Sequence, residues 1–527
     1  MVPTVQTVRP VQSTPAPGRL PGMRPLNLRT LRGQFLLLAG LILLLAALLT
    51  LAGTTTLNRA TGDLQAIDSE SIPSVDAAQS ITRFIDVIDA QAADYLAAAG
   101  LTTLAPCTVA GLETVSATRM VSVHDCDASN IDAESVLVNQ QIFAAAHNVT
   151  YPGERTAVER IMIGLESYLG DISLMQVDYG LAKSKTDQSD PELMQAYRAY
   201  MDASAILHSQ VRLATLGSER IPLEKEAGLP SCALPDGRTL TPQQWTQGGL
   251  VDALGCLSSI NFQHLQGAYV DSAAFLGGAT DLLVLLCFVF CALLLFGTLR
   301  LVLTTHRRLL PGLVGAVLLG LILSVSVVSL LAGLSGHASQ ASQDGAFRQL
   351  VSDDYASIYD ADLLNHYGTD ANADESRWLI AQEFHDQTSI QGWQADWDSN
   401  VRQIETLIQQ AHTNQTWTEE LRPLADMDTF WRQYRGLDGQ IRDLATRQTD
   451  PNRLLTAETL STGASNRALS AFLAAVNRLG QANHLHYLQT LDQTRGALMR
   501  DFWFSLLLFP LAGLLAVWGI AIRLKDF

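Results

Sequence analysis

Residues 35–53, FLLLAGLILLLAALLTLAG, contain no charged side chain, and that run limits the fold more than any other feature of the chain. Nineteen helical residues extend ~28 Å at ~1.5 Å per residue, close to the hydrocarbon thickness of a bilayer. Three further stretches, 282–304, 309–334 and 503–522, are similarly long and apolar, and 309–334 is again free of charge. A core helix of a soluble domain keeps a polar face, which these runs lack. The pattern predicts four membrane spans, with long connections at 54–281 and 335–502.

Lys and Arg beside the spans set the orientation. The tail 1–34 holds five arginines and no acid, Arg24, Arg29 and Arg32 among them. Arg307 and Arg308 occupy the short link 305–308, and the tail 523–527 adds Arg523 and Lys525. With four spans these three segments share one side, which the rule places in the cytoplasm. The expectation is a multi-pass protein of a bacterial cytoplasmic membrane with both termini inside and two large segments outside. The first span is longer than a secretory h-region and reads as an uncleaved anchor. Cleavage after "LAGTTT" is the alternative and would leave the sidedness of everything downstream unchanged.

The chain carries a formal charge of −17, so the outer segments are strongly acidic. That argues against nucleic acid as a partner and against adhesion to anionic lipid beyond the bilayer the spans occupy. Basic solutes, cations and basic protein surfaces remain, as does the plainer reading that the acids solubilise long helices. Cys107, Cys126, Cys232 and Cys256 all fall in the first outer segment. An even number in an oxidising compartment suggests disulfides, with three connectivities open. Sequential pairing closes one local loop each, worth ~3 kcal/mol in the chain-entropy model. Zinc is the alternative, without a Cys-x-x-Cys spacing to support it.

The outer segments carry helical periodicity. Trp397, Val401, Ile404 and Ile408 recur at +4, +3, +4, and Met194, Tyr197, Met201, Ser204 and His208 keep a seven-residue rhythm. Asp190 before Pro191 is a helix-start signal. Breaks in the pattern give helices near 57–100, 130–187 (interrupted around Pro152), 190–217 and 241–281. In the second segment they fall near 337–385, 393–412, 416–447 and 453–502. The fold class expected is an all-α membrane protein with two extracytoplasmic four-helix bundles in tandem. "DAQAAD" at 89–94 against "DANADE" at 370–375 is a short internal echo in favour of duplication.

The same stretch, GTDANADESRWLIA at 368–381, is the leading site candidate. An EF-hand loop starting at Asp370 needs Gly at its sixth position and an acid at its twelfth, where Glu375 and Ala381 stand instead. On a helix, Asp370, Asp374 and Arg377 share one face, with Trp378 four residues after Asp374. This reads first as a solvated stripe whose Asp374–Arg377 pair is worth about 0.2–0.5 kcal/mol. The functional alternative is a polar recognition patch of Asp370, Asn372, Asp374, Glu375, Arg377 and Trp378. His484 and His486 are two apart and diverge on a helix, so they do not share a metal. Asn148-Val-Thr150 and Asn414-Gln-Thr416 fit the glycosylation pattern. No phosphate loop, His-Glu-x-x-His or Gly-x-Ser-x-Gly is present, so no enzyme, metal or cofactor is expected.

With its first outer helix following a span as "LNRATGDLQAIDSESIPSVDAAQSITRF", the chain resembles bacterial membrane sensors with outer four-helix bundles, such as chemoreceptors and histidine kinases. It departs from them in lacking a HAMP linker, methylation helices or a kinase domain. "YGTDANADESRWLIA" and "QAYRAYMDASAIL" make it similar to four-span proteins with duplicated outer bundles, exemplified by the membrane component of a glutamate/aspartate-sensing Ser/Thr kinase pathway. That resemblance implies a non-enzymatic sensor coupling a periplasmic solute-binding protein to a cytoplasmic kinase, with a homodimer among the assemblies to expect. It implies that Asp370, Asn372, Asp374, Glu375 and Arg377 are family-pattern residues. The disulfide-candidate loops depart from the pattern. A structural subunit of a membrane complex and a transporter or channel subunit are the rival readings.

Overall fold

Apolar side chains at helical spacing build almost every element of the computed structural model, which describes residues 30–97, 104–107, 119–185, 187–208, 228–235, 237–305, 311–335, 349–447 and 452–524. Helix α1 (Leu31–Ala66) passes through a π-helical turn (Ile67–Ser71) into α2 (Ile72–Ala97). A two-stranded hairpin, β1 (Leu104–Cys107) against β2 (Arg119–Ser122), precedes α3 (Val123–His147), α4 (Glu154–Leu181) and α5 (Pro191–Leu207). A second hairpin, β3 (Cys232–Ala233) with β4 (Thr239–Leu240), leads through α6 (Pro242–Gln247) to α7 (Leu250–Thr305) and α8 (Pro311–Ser335). After a π-helical turn at Gln349–Tyr355 come α9 (Ala356–Glu383), α10 (Gln387–Thr413), α11 (Leu421–Thr446) and α12 (Arg453–Leu460). A third such turn, Ser461–Ser465, opens into α13 (Asn466–Leu524).

Local chemistry sets several boundaries. Asp190 caps α5 by accepting from the amides of Glu192 and Leu193, with Pro191 at the first helical position. The helix expected over 130–187 is two helices, α3 and α4, parted by the corner around Pro152. The helix expected over 190–217 is capped at His208, and its last residues lie outside the described ones.

The chain divides into two units. One comprises Met1–Gly53, Leu283–Val325 and Phe504–Phe527. Three helical runs, Leu31–Ala97, Leu250–Arg300 and Arg453–Ile522, contain stretches long and apolar enough to cross a membrane, which marks the chain as a membrane protein. A fourth apolar helix, Leu313–Ser329 among the described residues, is shorter. Leu44, Leu51, Phe288 and Leu507 are exposed on this unit, as side chains facing lipid would be. A Cβ on Gly513 would lie 2.9 Å from that of Ala46, so α1 and α13 meet there backbone to side chain.

The other unit comprises Thr54–Leu282 and Ser326–Trp503, so most of both long connections falls in one compact body. The two long connections, 54–281 and 335–502, pack together, because α2, the first helix of one, packs along α9, the first helix of the other. Each of these also packs against its successor, α2 on α3 and α9 on α10. Ile380 of α9 enters the large apolar core formed otherwise by the first segment. Cys107 is joined to Cys126 and Cys232 to Cys256, with Cα–Cα separations of 5.7 and 5.2 Å, the sequential pairing. The first bond ties its hairpin to α3, and the second ties its hairpin past α6 to α7.

A repeat appears where the sequence showed two glycosylation triplets. In Asn148-Val-Thr-Tyr-Pro-Gly-Glu154, the Glu154 carboxylate accepts from the amides of Thr150 (2.5 Å) and Tyr151 (2.7 Å). In Asn414-Gln-Thr-Trp-Thr-Glu-Glu420, Glu420 accepts from Thr416 and Trp417, both at 2.8 Å. Each threonine hydroxyl donates to its asparagine's carbonyl. Tyr151 stacks on His264 of α7 at 4.0 Å and Trp417 on His486 of α13 at 4.1 Å. Each corner joins the second helix of its segment to the third and leans on the last.

Candidate functional site

Helix α9 is polar on several faces, yet most of its second half is buried, Asp374, Glu375 and Arg377 almost completely. The solvated stripe expected for Asp374 and Arg377 is therefore corrected. The i, i+3 pair forms, with Arg377 Nη1 2.6 Å from Asp374 Oδ1, but α2 and α10 cover it. A guanidinium has five donors and cannot be left unpaired in an interior. Nη2 bonds Asp89 on α2, Nη1 also reaches Asp370 Oδ1 at 3.1 Å, and Nε donates to the Tyr200 hydroxyl of α5 at 3.2 Å. The guanidinium sits 4.8 Å from the centre of the Trp393 ring.

The carboxylates are satisfied from their other sides. Tyr168 of α4 donates to Asp89 Oδ1 at 3.0 Å. Asn400 of α10 bridges Asp370 and Asp374 through Nδ2, at 2.8 and 3.0 Å. One arginine thus gathers groups from α2, α5, α9 and α10, and Tyr168 adds α4.

One guanidinium faces three carboxylates, so the cluster is over-supplied with negative charge. Burial, then Asp370 and Asp396, holds the Asp374 carboxyl well above its ordinary value, against Asn400 and Arg442. Burial also lowers Arg377 to about 9, opposed by Asp396 and Asp86. Both shifts share one cause: the cost of desolvating charge exceeds what each partner returns.

The other candidates of this stretch turn elsewhere. Glu375 accepts from Ser461 (2.6 Å) and Ser465 (3.1 Å) on the π-helical turn before α13. Burial first and Asp438 second raise it to about 8. Ser376 bonds Asp94 of α2, whose other oxygen accepts from Asn466 at 2.8 Å. Asn372 is buried with its side-chain oxygen unpartnered. Trp378 is buried beneath the Arg442 guanidinium, 4.9 Å away. The stretch is thus an internal junction, and Asp370 alone of the charged cluster opens outward. Its side chain is 20% exposed, against 1% for Arg377 and 0% for Asp374.

Asp370 opens into a cavity of about 610 Å³ within the same unit. Asp86, His366 and Asp396 share its wall, with Asp86 Oδ2 2.5 Å from His366 Nδ1. Asp396 sits exposed at the rim, its carboxyl raised by nearby protein and by Asp370 and lowered by His208 and Arg377. Among the described residues no group of three or more His, Cys, Asp or Glu is arranged to hold a metal ion.

Sequence reasoning did not single out Tyr200, Tyr168, Asn400, Asp86 or His366, and it quoted Asp89 only within the echo "DAQAAD". That echo was the available signal, since the two similar stretches lie on the helices that meet. Of the basic residues, Arg32 is exposed on α1, whereas Arg24, Arg29, Arg307 and Arg308 lie outside the described residues. Comparison with protein-family models, with curated proteins and with solved structures returned no match.

Proposed function

We propose that the chain is a non-enzymatic transmembrane sensor, spanning the membrane four times with both termini in the cytoplasm. Its outer unit receives a ligand or a ligand-loaded solute-binding protein, and its inner face engages a cytoplasmic partner such as a Ser/Thr kinase. The observation that carries this reading is the double duty of Asp370, which lines a cavity and also bonds the arginine that joins the outer segments. An occupant that draws on Asp370 redistributes the bonds of Arg377 and so favours one packing of α2 against α9 over another. Helix α2 belongs to the helical run Leu31–Ala97, which begins beside the basic tail. A shift of that run is what an inner partner would read, and arginine suits the contact.

The test is affinity purification of the full chain from native membranes, with and without residues 2–30, followed by mass spectrometry. Loss of a kinase or its adaptor with the tail is the expected result. Retention of every cytoplasmic partner and of signalling would remove the tail from the mechanism. A reporter at Met1 found outside would overturn the topology itself.

A further inference from the structure

We propose that the cavity beside Asp370 binds a small organic cation, an amine whose ammonium is shared by the carboxylates of Asp86, Asp370 and Asp396. This names the ligand class of the site used by the sensing proposal, and rests on that proposal only for its role in the cell. At about 610 Å³ the cavity lies within the ~300–1,000 Å³ of small-molecule sites and far exceeds a bare metal ion.

Its wall is short of positive charge. Asp86 is 6% exposed, and among the described residues its hydrogen bond is the one from His366 to Oδ2, which leaves Oδ1 open to a ligand. A ligand N–H that reaches this oxygen forms a charge-assisted hydrogen bond. Among the described residues no side chain or amide hydrogen-bonds Asp396. The arginine on this wall, Arg238, already has Asp252 3.9 Å away.

The remaining lining suits the rest of an amine. Tyr359 and Tyr367 border the cavity, and an ammonium over an aromatic face is attracted to it. Leu254 and Leu363 offer apolar surface for a carbon frame. A dicarboxylate would instead set its charges beside three acids, which repel it.

Isothermal titration of the full chain in detergent micelles tests this, with putrescine and spermidine as probes and glutamate and 1,4-butanediol as contrasts. Saturable binding of an amine and none of the contrasts is expected. Asp86→Asn and Asp396→Asn should each weaken it about tenfold or more, the worth of one charge-assisted hydrogen bond. Asp396 is exposed, so its variant keeps the fold, which near-ultraviolet circular dichroism checks. No saturable heat with either amine, equal affinity for glutamate, or unchanged binding by both variants would overturn the proposal. Amine binding with no change in cytoplasmic partners in cells would leave it standing and sink the sensing reading. Ligand-dependent partner exchange without amine binding would do the reverse.

Discussion

Set side by side, Asn148–Glu154 and Asn414–Glu420 use the same residue types for the same bonds, whereas Asp89–Leu96 and Asp370–Arg377 align in sequence and differ in chemistry. Both corners fold a glutamate back onto two amides and rest an aromatic ring on a histidine of the last helix. At the centre, Ala93 stands where the second segment has Asp374, and Leu96 where it has Arg377, all four being buried. The first segment is instead stapled by two disulfides, and no described disulfide lies in the second. Similar scaffolds are therefore held by different means. The polar centre, costly to bury, is built on Arg377 of the second segment, beside a cavity that both segments line.

The centre should give the largest effect. Arg377→Met strands Asp89, Asp370 and Asp374, and breaking a buried ion cluster in this way costs ~3–5 kcal/mol. Leu96→Met at the matching position should cost less than ~1.5 kcal/mol. Denaturant unfolding of the full chain in micelles measures both. Equal costs would mean that Arg377 is merely packed, and the contrast between the segments would collapse.

Next comes pH. Glu375 titrates at about 8 in the folded protein against an ordinary 4.5. Between those values the folded state keeps a proton that the unfolded chain has released. Its stabilising contribution is whole below pH 4.5 and disappears as pH rises through about 8, at up to ~1.4 kcal/mol per pH unit. The melting temperature should fall over that window, and Glu375→Gln should flatten the fall. An unaltered pH profile in the variant would show that the Ser461 and Ser465 bonds hold the charged form instead.

The staples rank third. Cys107→Ser with Cys126→Ser opens a loop with a sequence separation of 19, worth ~3 kcal/mol in the chain-entropy model. Hydrogen exchange should lose protection in α3 while α10 and α11 keep theirs. Equal loss in both segments would show that the unit opens as a single cooperative block.

Much of this architecture was legible. The row Trp397–Ile408 is buried as its spacing required, the α5 row only in part (Tyr197 and Ser204 buried, Met194, Met201 and His208 half-buried), the Asp190 cap forms, and the local cysteine pairs close. What escaped depends on contacts across the chain. An Asp374–Arg377 pair has the same spacing whether water or another helix covers it, and Asp89 lies 288 residues from Arg377. The joining of the segments into one body escaped for the same reason, because pairing of α2 with α9 leaves no local periodicity. The corners were visible in the sequence only as Asn-x-Thr, which names a modification pattern and not a fold. The signal lay further on, in an aromatic after each threonine and a glutamate three beyond it.

The corner repeat offers the smallest effect and the most direct test of likeness. Glu154→Gln and Glu420→Gln each remove the charge from an acceptor of two backbone amides, and each should cost ~1 kcal/mol, in the range of helix-cap replacements. The settings differ in one respect. Gly153 adopts φ +97°, and a Cβ there would lie 2.9 Å from Pro230, whereas the matching position holds Glu419 on a 3-10 turn. Gly153→Ala should therefore be destabilising beyond the ~1 kcal/mol of an ordinary helix glycine exchange, while Glu419→Ala should be close to neutral. If the two glutamine variants cost the same and these two differ, the corners share a bonding scheme but not a backbone path. If instead Glu154→Gln costs several times more than Glu420→Gln, the shared letters are not a shared structural device, and the repeat ceases to support duplication.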